Sequence, residues 1–394
     1  MTKKAESSDT MILTETIKAA LSIVSKALGK STLPVLTTIH MRAEGETLTL
    51  TATDLETAIS VAVPAIVTKA WAACAPGTTL TDLASAAPGT QIDLIWEEDT
   101  TTLRFVSQGT KAKLKSLAAD EFPNTVAPDS KLMGKIPASE LRSALKRVAI
   151  AASTDEARPA LCAVQLALVN ENVYLTAADG FRLASYHLDH ELVFHAKTSL
   201  LIPRSAAMKL AAILPGDDSR VTVSVDEDRA ILMAWGNVSF RAQLLDFNFP
   251  DWQVIFPRDF KHNLTLNGKD FQGAVRRAEI FAREGQSVLK FNHAENGVKV
   301  YGESAETGQG ETILASDTEM PFLVGSNVIF VKQGLEAIGA DQVHMRLNGP
   351  NTPILFTNGT DKYRYVVMPV LISDPVEIAR AAEVAKASEE AAAA

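Results

Sequence analysis

The sequence predicts an α+β fold made of three copies of one unit, each with two helices packed on antiparallel sheet. The first observation is an internal repeat, because residues 33–63 superpose on residues 158–188 at an offset of 125 without a gap. This offset places Asp54 on Asp179, and a further step reaches a more divergent third copy around Val298. The second observation is that every copy repeats the same order of helices and strands.

Each copy opens with an amphipathic helix. Its apolar residues recur at spacings of three and four, which places them on one buried stripe. The three stripes are Ile17, Leu21, Val24 and Leu28; Leu141, Leu145, Val148 and Ala152; and Phe271, Val275, Ala278 and Ala282.

Alternating strands and a second, shorter helix follow each opening helix. Both helices must lie on one face of the sheet to bury their stripes, which predicts a two-layer domain. The strand turns are Glu44-Gly45, Val169-Asn170 and Asn296-Gly297, and the second helices are predicted near 71–86, 204–214 and 326–338. Further strands close each copy, which ends on an apolar residue and proline at Phe122-Pro123, Phe249-Pro250 and Met368-Pro369.

The repeat divides the chain into three predicted domains, residues 11–130, 131–256 and 257–372. A polar N-terminal tail, residues 1–10, precedes them. The C-terminal tail, residues 373–394, is rich in alanine and glutamate, and its sequence fits either a frayed helix or disorder.

The composition is that of a globular protein, with 46% hydrophobic and 22% charged residues among 394. No apolar stretch approaches the roughly 18 residues of a membrane helix, and the amino end lacks a signal-peptide core, so we expect a cytoplasmic protein. Two cysteines, Cys74 and Cys162, are too few for a disulfide framework or a structural zinc site, and both fit small core residues.

Basic residues gather on the predicted helices although the chain carries a net charge of −9. Four helices, counted over 15–30, 138–152, 204–214 and 268–284, together carry +7. One interpretation is an ordinary solvated face on each helix; the other is a repeated positive lining that contacts phosphates without reading sequence. The residues of this basic set are Lys18 and Lys26; Arg142, Lys146 and Arg147; Arg204 and Lys209; and Arg276, Arg277 and Arg283.

Two predicted strand edges carry opposite charge. Lysines alternate along one edge of the first copy, and glutamates occur in the third copy. Lysine commonly protects an edge strand from pairing, but complementary edges also favour a head-to-tail contact between two chains, which can close into a ring. The residues are Lys111, Lys113 and Lys115 on one side and Glu303, Glu306 and Glu311 on the other.

The sequence offers no catalytic constellation. It contains no phosphate-binding glycine loop and no nucleophile elbow. His187, His190 and His195 lack partners at metal-ligand spacing, so surface histidines are the favoured interpretation. Asp54 and Asp179 occupy equivalent repeat positions, which favours a turn-stabilising role over acid–base catalysis. We therefore expect no enzymatic activity, cofactor or metal.

Several segments together resemble the bacterial β sliding clamp family, the processivity subunit of DNA polymerase III. They are LPVL at 33–36, LTLTATDLE at 48–56, ADEFPN at 119–124, LTAADGFRLAS at 175–185, FNFPDW at 247–252 and YVVMPV at 365–370. The resemblance covers about residues 11–372. It implies a closed homodimeric ring of six similar domains, with helices inward around duplex DNA.

The resemblance also implies partners and sites. The partners are the DNA polymerase III catalytic subunit, the clamp loader, and other polymerases and repair proteins that carry a clamp-binding peptide. The implied peptide pocket comprises Leu161, Gly180, Phe181, Arg182, Leu183, Pro250, Asn327, Phe330, Thr352, Val366, Val367, Met368, Pro369 and Val370. The family's DNA-facing positions add Lys30 and Arg204, and its interface apolar positions fall on Ala112, Leu114, Ile280 and Phe281. The chain departs from the family at Phe181, often histidine, and at Val254, usually arginine.

Two alternatives stay open at this point. The competing class is a monomeric, repeat-built module that binds some other polyanion through the same basic helices. The tail 373–394 either flanks the implied pocket and modulates peptide access or is an inert solvated segment.

Overall fold

The computed structural model of the protein describes residues 8–30, 33–125, 130–189, 191–194, 199–226, 229–316 and 320–372. The chain divides into two compact units, one formed by residues 1–142 with 190–246 and the other by 143–189 with 247–394. Among the described residues, no helix is both long and apolar enough to cross a membrane. The tail 373–394 lies outside the described residues.

The first repeat contains two helices and a set of short strands. The helices are α1 (Thr14–Val24) and α2 (Gly77–Ala86), and the strands are β1 (Thr10–Leu13), β2 (Thr38–Glu44), β3 (Thr47–Thr53), β4 (Thr57–Pro64), β5 (Ile66–Val67), β6 (Trp71–Pro76), β7 (Gln91–Glu97), β8 (Thr102–Ser107), β9 (Thr110–Lys115) and β10 (Leu117–Ala118).

The second repeat follows the same order. Its helices are α3 (Ala138–Val148) and α4 (Arg204–Ile213), and its strands are β11 (Ser130–Pro137), β12 (Ala163–Val169), β13 (Asn172–Ala178), β14 (Arg182–Leu188), β15 (Glu191–Leu192), β16 (Ser199–Pro203), β17 (Arg220–Asp226), β18 (Ala230–Trp235) and β19 (Val238–Gln243).

The third repeat completes the described chain. Its helices are α5 (Gly268–Ala282) and α6 (Val328–Ile338), and its strands are β20 (His262–Asn267), β21 (Val288–Ala294), β22 (Gly297–Ser304), β23 (Gly308–Ala315), β24 (Leu323–Asn327), β25 (Gln342–Leu347), β26 (Ile354–Thr357), β27 (Tyr363–Val367) and β28 (Pro369–Val370).

The strands pair antiparallel throughout the described residues, and each unit contains its own sheets. In the first unit one sheet runs β5-β1-β7-β8-β9 and another β10-β6-β2-β3-β4-β19-β18-β17-β11-β15. In the second unit one sheet contains the run β12-β13-β14-β27-β26-β25-β20 and another runs β23-β22-β21-β24-β28. Strand β9 and strand β23 therefore each lie at the edge of a sheet.

The predicted apolar stripes face the sheets. Helices α1 and α2 pack on each other and over β2, β3, β4 and β6, and α5 and α6 do the same over β21 to β24, β26 and β27. Ile17, Leu21 and Val24 of α1 are fully buried, as are Phe271 and Val275 of α5. The predicted α+β class, with helices packed on antiparallel sheet, is thus confirmed. The expectation of one sheet per helix pair is wrong for the third repeat, because β26 and β27 belong to a different sheet from β21 to β24.

One predicted helix is wrong at its start. Residues 71–76, assigned to the second helix of the first repeat, form strand β6, and α2 begins at Gly77. Trp71, Ala73 and Ala75 are buried in that strand, and Pro76 ends it because proline offers no N–H to continue the ladder. Helical periodicity and a short buried strand are difficult to distinguish in an alanine-rich stretch.

The opening helices also end earlier than predicted. The α-helical part of α1 stops at Val24 and a 3-10 turn covers Ser25–Ala27, so Lys26 follows the helix and Lys30 lies beyond both. A 3-10 turn, Ala149–Ala151, similarly ends the helix of the second repeat. Helix α5 ends at Ala282, with Arg283 as its C-cap.

The predicted polar tail 1–10 is too long at its carboxyl end. Thr10 begins β1 and pairs with Leu94, and the Trp71 indole N–H donates to the Thr10 hydroxyl at 2.8 Å. The backbone N–H of Trp96 donates to the Asp9 carboxylate at 2.9 Å. Polar side chains are buried here because these hydrogen bonds satisfy them, which residue polarity by itself does not reveal.

Strands of successive repeats join at two places with the same register. At the first seam, defined as β4 with β19, Thr57 lies opposite Ala242 and Ser60 opposite Ser239. At the second seam, defined as β14 with β27, the residues 125 further on pair in the same way, Arg182 with Val367 and Ser185 with Arg364. The sequence repeat is therefore also a repeat of strand pairing.

Candidate partner-binding and DNA-facing surfaces

An apolar row crosses four strands at the second seam. Ala178, Leu183, Val366 and Leu355 lie opposite one another in consecutive strand pairs, and all are buried. Trp252 packs with them, and partly buried Leu161, Phe249, Ile255, Phe256 and Phe260 surround the cluster. Because alternate residues of a strand share a face, this row forms one continuous apolar floor.

The turn before β14 is held by a carboxylate. The backbone N–H groups of Phe181 and Arg182 both donate to Asp179 Oδ1 at 2.9 Å, and Gly180 takes a φ of +92°. In the first repeat Asp54 Oδ1 accepts from the N–H of Thr57 at 2.8 Å. The turn-stabilising role expected of both aspartates is confirmed. Phe181 is left 58% exposed beside the cluster.

Arg182 connects this turn to helix α6. Its Nε donates to Asp179 Oδ2 at 2.9 Å, and Nη1 donates to Gln333 Oε1. The guanidinium carbon lies 4.3 Å from the centre of the Phe330 ring, a favourable cation–π position. The Arg182 and Asp179 side chains are only 11% and 13% exposed. Arg182 thus fixes the helix start against the turn.

Tyr365 also contacts the start of helix α6. Its hydroxyl donates to the carbonyl of Phe330 at 3.0 Å, and its ring lies against Gly334, where an added Cβ would stand 2.3 Å from Cε1. Burial raises the pKa of Tyr365 to about 12, so the hydroxyl stays neutral and keeps donating.

Aromatic side chains cover one end of the apolar row. The Trp252 indole N–H donates to Gln165 Oε1 at 3.1 Å, and the Trp252 ring meets Tyr174 edge-on with centres 5.4 Å apart. The Arg364 guanidinium lies 4.2 Å from the Phe256 ring centre and 5.8 Å from that of Trp252. These contacts order the 251–256 segment on the seam.

The structure brings part of the implied pocket together and directs Val367 to the opposite face of the sheet. Leu161, Leu183 and Val366 belong to the apolar cluster, and the N–H of Met368 donates to the Phe181 carbonyl at 2.8 Å. Val367 is fully buried and follows Val366 in the strand, so it projects to the opposite face.

Other implied pocket residues cap a helix, form a short strand or close a turn. Asn327 caps α6, accepting from the N–H groups of Ile329 and Phe330 at 3.0 and 3.2 Å. Pro369 and Val370 form β28, beside β24. The Thr352 hydroxyl donates to the Gly349 carbonyl at 3.1 Å and closes a turn. Pro250 is exposed and follows the partly buried Phe249.

Sequence reasoning missed residues that complete this site. Gln333 and Asp179 hold Arg182, and Trp252, Tyr174 and Leu355 supply much of the apolar surface. A signal existed for Trp252 within FNFPDW and for Gln333, which lies three residues after Phe330 on the same helix face. The contribution of Leu355 had no local signal, because it comes from strand pairing.

The predicted basic residues fall into two groups. The exposed ones are Lys26, Lys30, Lys146, Arg276, Arg277 and Arg283. Of these, Arg276 lies 3.9 Å from Glu336, Arg277 donates to the Thr312 hydroxyl at 3.2 Å, and Arg283 pairs with Glu284 at 3.2 Å. The others are partly buried: Lys18, Arg142, Arg147, Arg204 and Lys209.

Partial burial ties several basic residues to their own chain. Lys209 Nζ donates to Asp54 Oδ2 in an ion pair whose side chains are 21% and 22% exposed. The Nε atoms of Arg142 and Arg204 are buried and find no hydrogen-bond partner among the described residues, and Arg142 lies over Gly216. Arg147 lies 5.7 Å from the Tyr363 ring centre. A charge count on the sequence therefore overstates the accessible positive charge.

The two charged edges are true strand edges. On β9, Lys111, Lys113 and Lys115 are exposed, while Leu114 is buried and Ala112 half-buried. On the acidic side, Glu311 lies on β23 and Glu306 in the turn before it, whereas Glu303 lies on β22.

Two predicted interface features are already paired within the chain. Glu303 Oε1 accepts from the buried Lys290 Nζ at 2.5 Å, and Glu311 Oε2 accepts from Lys299 Nζ at 3.3 Å. Ile280 is 53% exposed on α5. Phe281 lies over Gly310 of β23, where an added Cβ would stand 2.4 Å from the ring.

The structure also locates part of the histidine group. The His187 ring packs beside Tyr174 with centres 5.2 Å apart, and His190 and His195 lie outside the described residues. Across the described part of the chain, no cluster of three potential metal-ligating side chains occurs.

Three family models match the chain in order. The N-terminal, central and C-terminal domain models of the DNA polymerase III beta subunit match residues 9–126, 135–251 and 253–371. The predicted boundaries at 130, 256 and 372 stay predictions.

Relatives of known name and structure are similar over almost the whole described chain. A curated beta sliding clamp of Staphylococcus aureus is 28% identical over 355 residues, covering 86% of this chain and 93% of its own. A sliding clamp structure from Bacillus subtilis is 21% identical with a TM-score of 0.86, covering 92% of this chain and 99% of that one. The DNA polymerase III subunit beta of Bartonella birtlesii, bound to griselimycin, is 26% identical with a TM-score of 0.86 and the same coverage.

Proposed function

Since this chain belongs to the family of bacterial β sliding clamps and is a DNA sliding clamp, we propose that two copies close head to tail into a ring around duplex DNA. The ring tethers the replicative polymerase by topology, so that each new encounter with the template occurs at high local concentration. The observation that carries the proposal is the threefold repeat with basic residues on its opening helices.

The open edges of β9 and β23 support the head-to-tail contact. Each edge offers unpaired backbone groups, and an antiparallel pairing between copies would continue the sheet. Lysines of β9 would then face Glu306 and Glu311, with Leu114 and Ile280 as apolar partners. Such a heterologous contact forms a ring when its rotation closes.

Sequence-independent phosphate contacts fit the exposed basic residues. Lys26, Lys30, Lys146 and Arg276 lie on or just after helices and carry no neighbouring base-stacking aromatic group in the described surface. Few, water-rich contacts of this kind allow sliding, because binding energy that does not depend on sequence does not fix one position.

The second seam is the proposed docking site for partner peptides. The apolar row that contains Leu183 and Val366 lies near three exposed apolar side chains, those of Phe181, Met368 and Val254. Together they form a surface that suits a short hydrophobic peptide. The proposed partners are the DNA polymerase III catalytic subunit, the clamp loader, and other polymerases and repair proteins. The ring performs no chemistry of its own and works in the cytoplasm at the nucleoid.

Retention on circular and linear DNA tests the proposal. Loaded by its clamp loader with ATP, the protein should stay on nicked circles and leave linear DNA by running off the ends. Blocking both ends with bound protein should restore retention. Equal loss from circles and linear DNA would contradict a topological link.

Particle mass separates the ring from the monomeric module. Sedimentation equilibrium should give a species of twice 42.3 kDa. A mass of 42.3 kDa at all concentrations would favour the module instead.

A further inference from the structure

A groove lies on strands β2 to β4 of the first repeat, beside the first seam, and the function proposed above assigns it no role. Its volume is about 730 Å³, and hydroxyl side chains of Thr49, Thr51 and Ser60 line its floor. These residues alternate with the buried Leu48, Leu50 and Ile59, so the groove lies on the sheet face away from α1.

An aromatic pair forms one wall. The rings of His40 and Phe122 stack with centres 5.0 Å apart and an interplanar angle of 28°. Burial, with a smaller contribution from Arg42, lowers the pKa of His40, so the imidazole is neutral at pH 7. A neutral imidazole has one nitrogen that accepts a hydrogen bond.

The charges at the rim cancel. Arg42 Nη2 and Glu44 Oε2 form an ion pair at 2.7 Å, with both side chains more than 60% exposed. The groove therefore presents hydroxyl groups, an aromatic face and a neutral acceptor, which complement an uncharged aromatic group carrying an N–H.

The second repeat shows what occupies the equivalent position. At an offset of 125, His40 corresponds to Gln165 and Thr49 to Tyr174. There the chain's own Trp252 fills the site, since its indole N–H donates to Gln165 Oε1 at 3.1 Å and its ring meets Tyr174 edge-on. In the first repeat Thr49 stands where Tyr174 stands in the second, and the described residues leave the groove at that position.

We propose that the groove of the first seam is a docking site for a partner protein segment that presents a tryptophan, with its indole N–H donating to His40. The ring would lie over Thr49 and against Phe122, in the position that Trp252 takes on Gln165 and Tyr174. Hydroxyl groups and water then satisfy the flanking peptide backbone. This site goes beyond the proposed clamp function and does not depend on ring closure.

A peptide of this chain supplies the probe. Residues 247–258, FNFPDWQVIFPR, contain the tryptophan with its natural neighbours. Titration calorimetry measures binding of this peptide to the full-length protein, and NMR follows the His40 ring resonances. The matched control peptide carries Trp252→Ala.

Three protein variants separate the groove from other surfaces. Thr49→Tyr fills the groove, His40→Gln keeps an acceptor as in the second repeat, and Phe181→Ala changes only the second seam. Unchanged thermal unfolding midpoints establish that each variant is folded.

We expect the tryptophan peptide to bind at least about tenfold more tightly than its alanine control, because burial of one aromatic ring dominates such a contact. Thr49→Tyr should reduce binding by a similar factor, while His40→Gln and Phe181→Ala leave it within about twofold. Binding lost in Phe181→Ala but kept in Thr49→Tyr would assign the peptide to the second seam and overturn the proposal. The absence of binding at millimolar peptide would overturn it as well.

Discussion

Replacement of Arg182 by methionine tests how the second seam is held together. Methionine keeps an unbranched apolar side chain but removes the charge and all donors. The substitution removes the ion pair with Asp179 at 2.9 Å, the hydrogen bond to Gln333 and the contact with the Phe330 ring at 4.3 Å. Solvent screens this pair little, because the two side chains are 11% and 13% exposed.

The expected loss follows from these contacts. Removing one partner of a buried ion pair typically costs about 3–5 kcal/mol, because the other charge stays buried and unpaired. Asp179 keeps two backbone N–H donors, which stabilise its carboxylate, so we expect the lower end of the range. The free energy of unfolding of the second unit should fall by about 3 kcal/mol.

A double-mutant cycle isolates the pair. Urea unfolding of the wild type, Arg182→Met, Asp179→Asn and the double variant gives the coupling energy, which we expect to be about 2 kcal/mol. Hydrogen exchange should speed up at the start of α6 in Arg182→Met. A coupling below about 0.5 kcal/mol, with exchange unchanged, would refute the assigned role.

Three further predictions concern other parts of the molecule. Trp252→Ala should lower the free energy of unfolding by about 3–5 kcal/mol in urea titrations, because the Trp252 side chain is only 4% exposed. The control Phe247→Ala should change it by less than about 0.5 kcal/mol, because Phe247 is 51% exposed. Burial lowers the pKa of His262 in the folded state, so the unfolded state binds more protons and the free energy of unfolding should fall as the pH drops below about 6.5. His262→Gln should weaken this loss between about pH 7 and pH 5. An unchanged dependence of the free energy of unfolding on pH in this variant would contradict the prediction. Lys113→Glu should raise the dimer dissociation constant at least about tenfold in sedimentation experiments, since it places like charges across the proposed edge, and Glu311→Lys should partly restore it.

The sequence was most informative where chemistry is local. Apolar spacing and the repeated order of elements located the six α-helices of the described residues to within a few residues, except at 71–76, where a buried alanine-rich strand resembles a helix in sequence. The repeat positions of Asp54 and Asp179 predicted that both aspartates stabilise turns. The structure confirms this role, because Asp54 Oδ1 accepts from a backbone N–H at 2.8 Å and Asp179 Oδ1 from another at 2.9 Å.

The site was harder to predict because its members come from distant segments. Resemblance to a family supplied Leu183, Arg182 and Val366, but it did not distinguish Val366, in the apolar row, from Val367, which faces the other way. Likewise, charge along a helix did not reveal that Lys209 is paired with Asp54, 155 residues away in sequence.

The amino-acid sequence by itself determined the threefold repeat, the α+β class, the family and the turns at both aspartates, because periodicity, residue spacing and short-range hydrogen bonds are written along the chain. Only the tertiary structure decided three things: that both seams pair in one register, that Trp252 packs at the second seam while the described residues leave a groove beside the first, and which basic side chains stay exposed. The physical reason is that burial, ion pairing and cross-strand contact depend on residues far apart in sequence, and those meet only after the strands have paired.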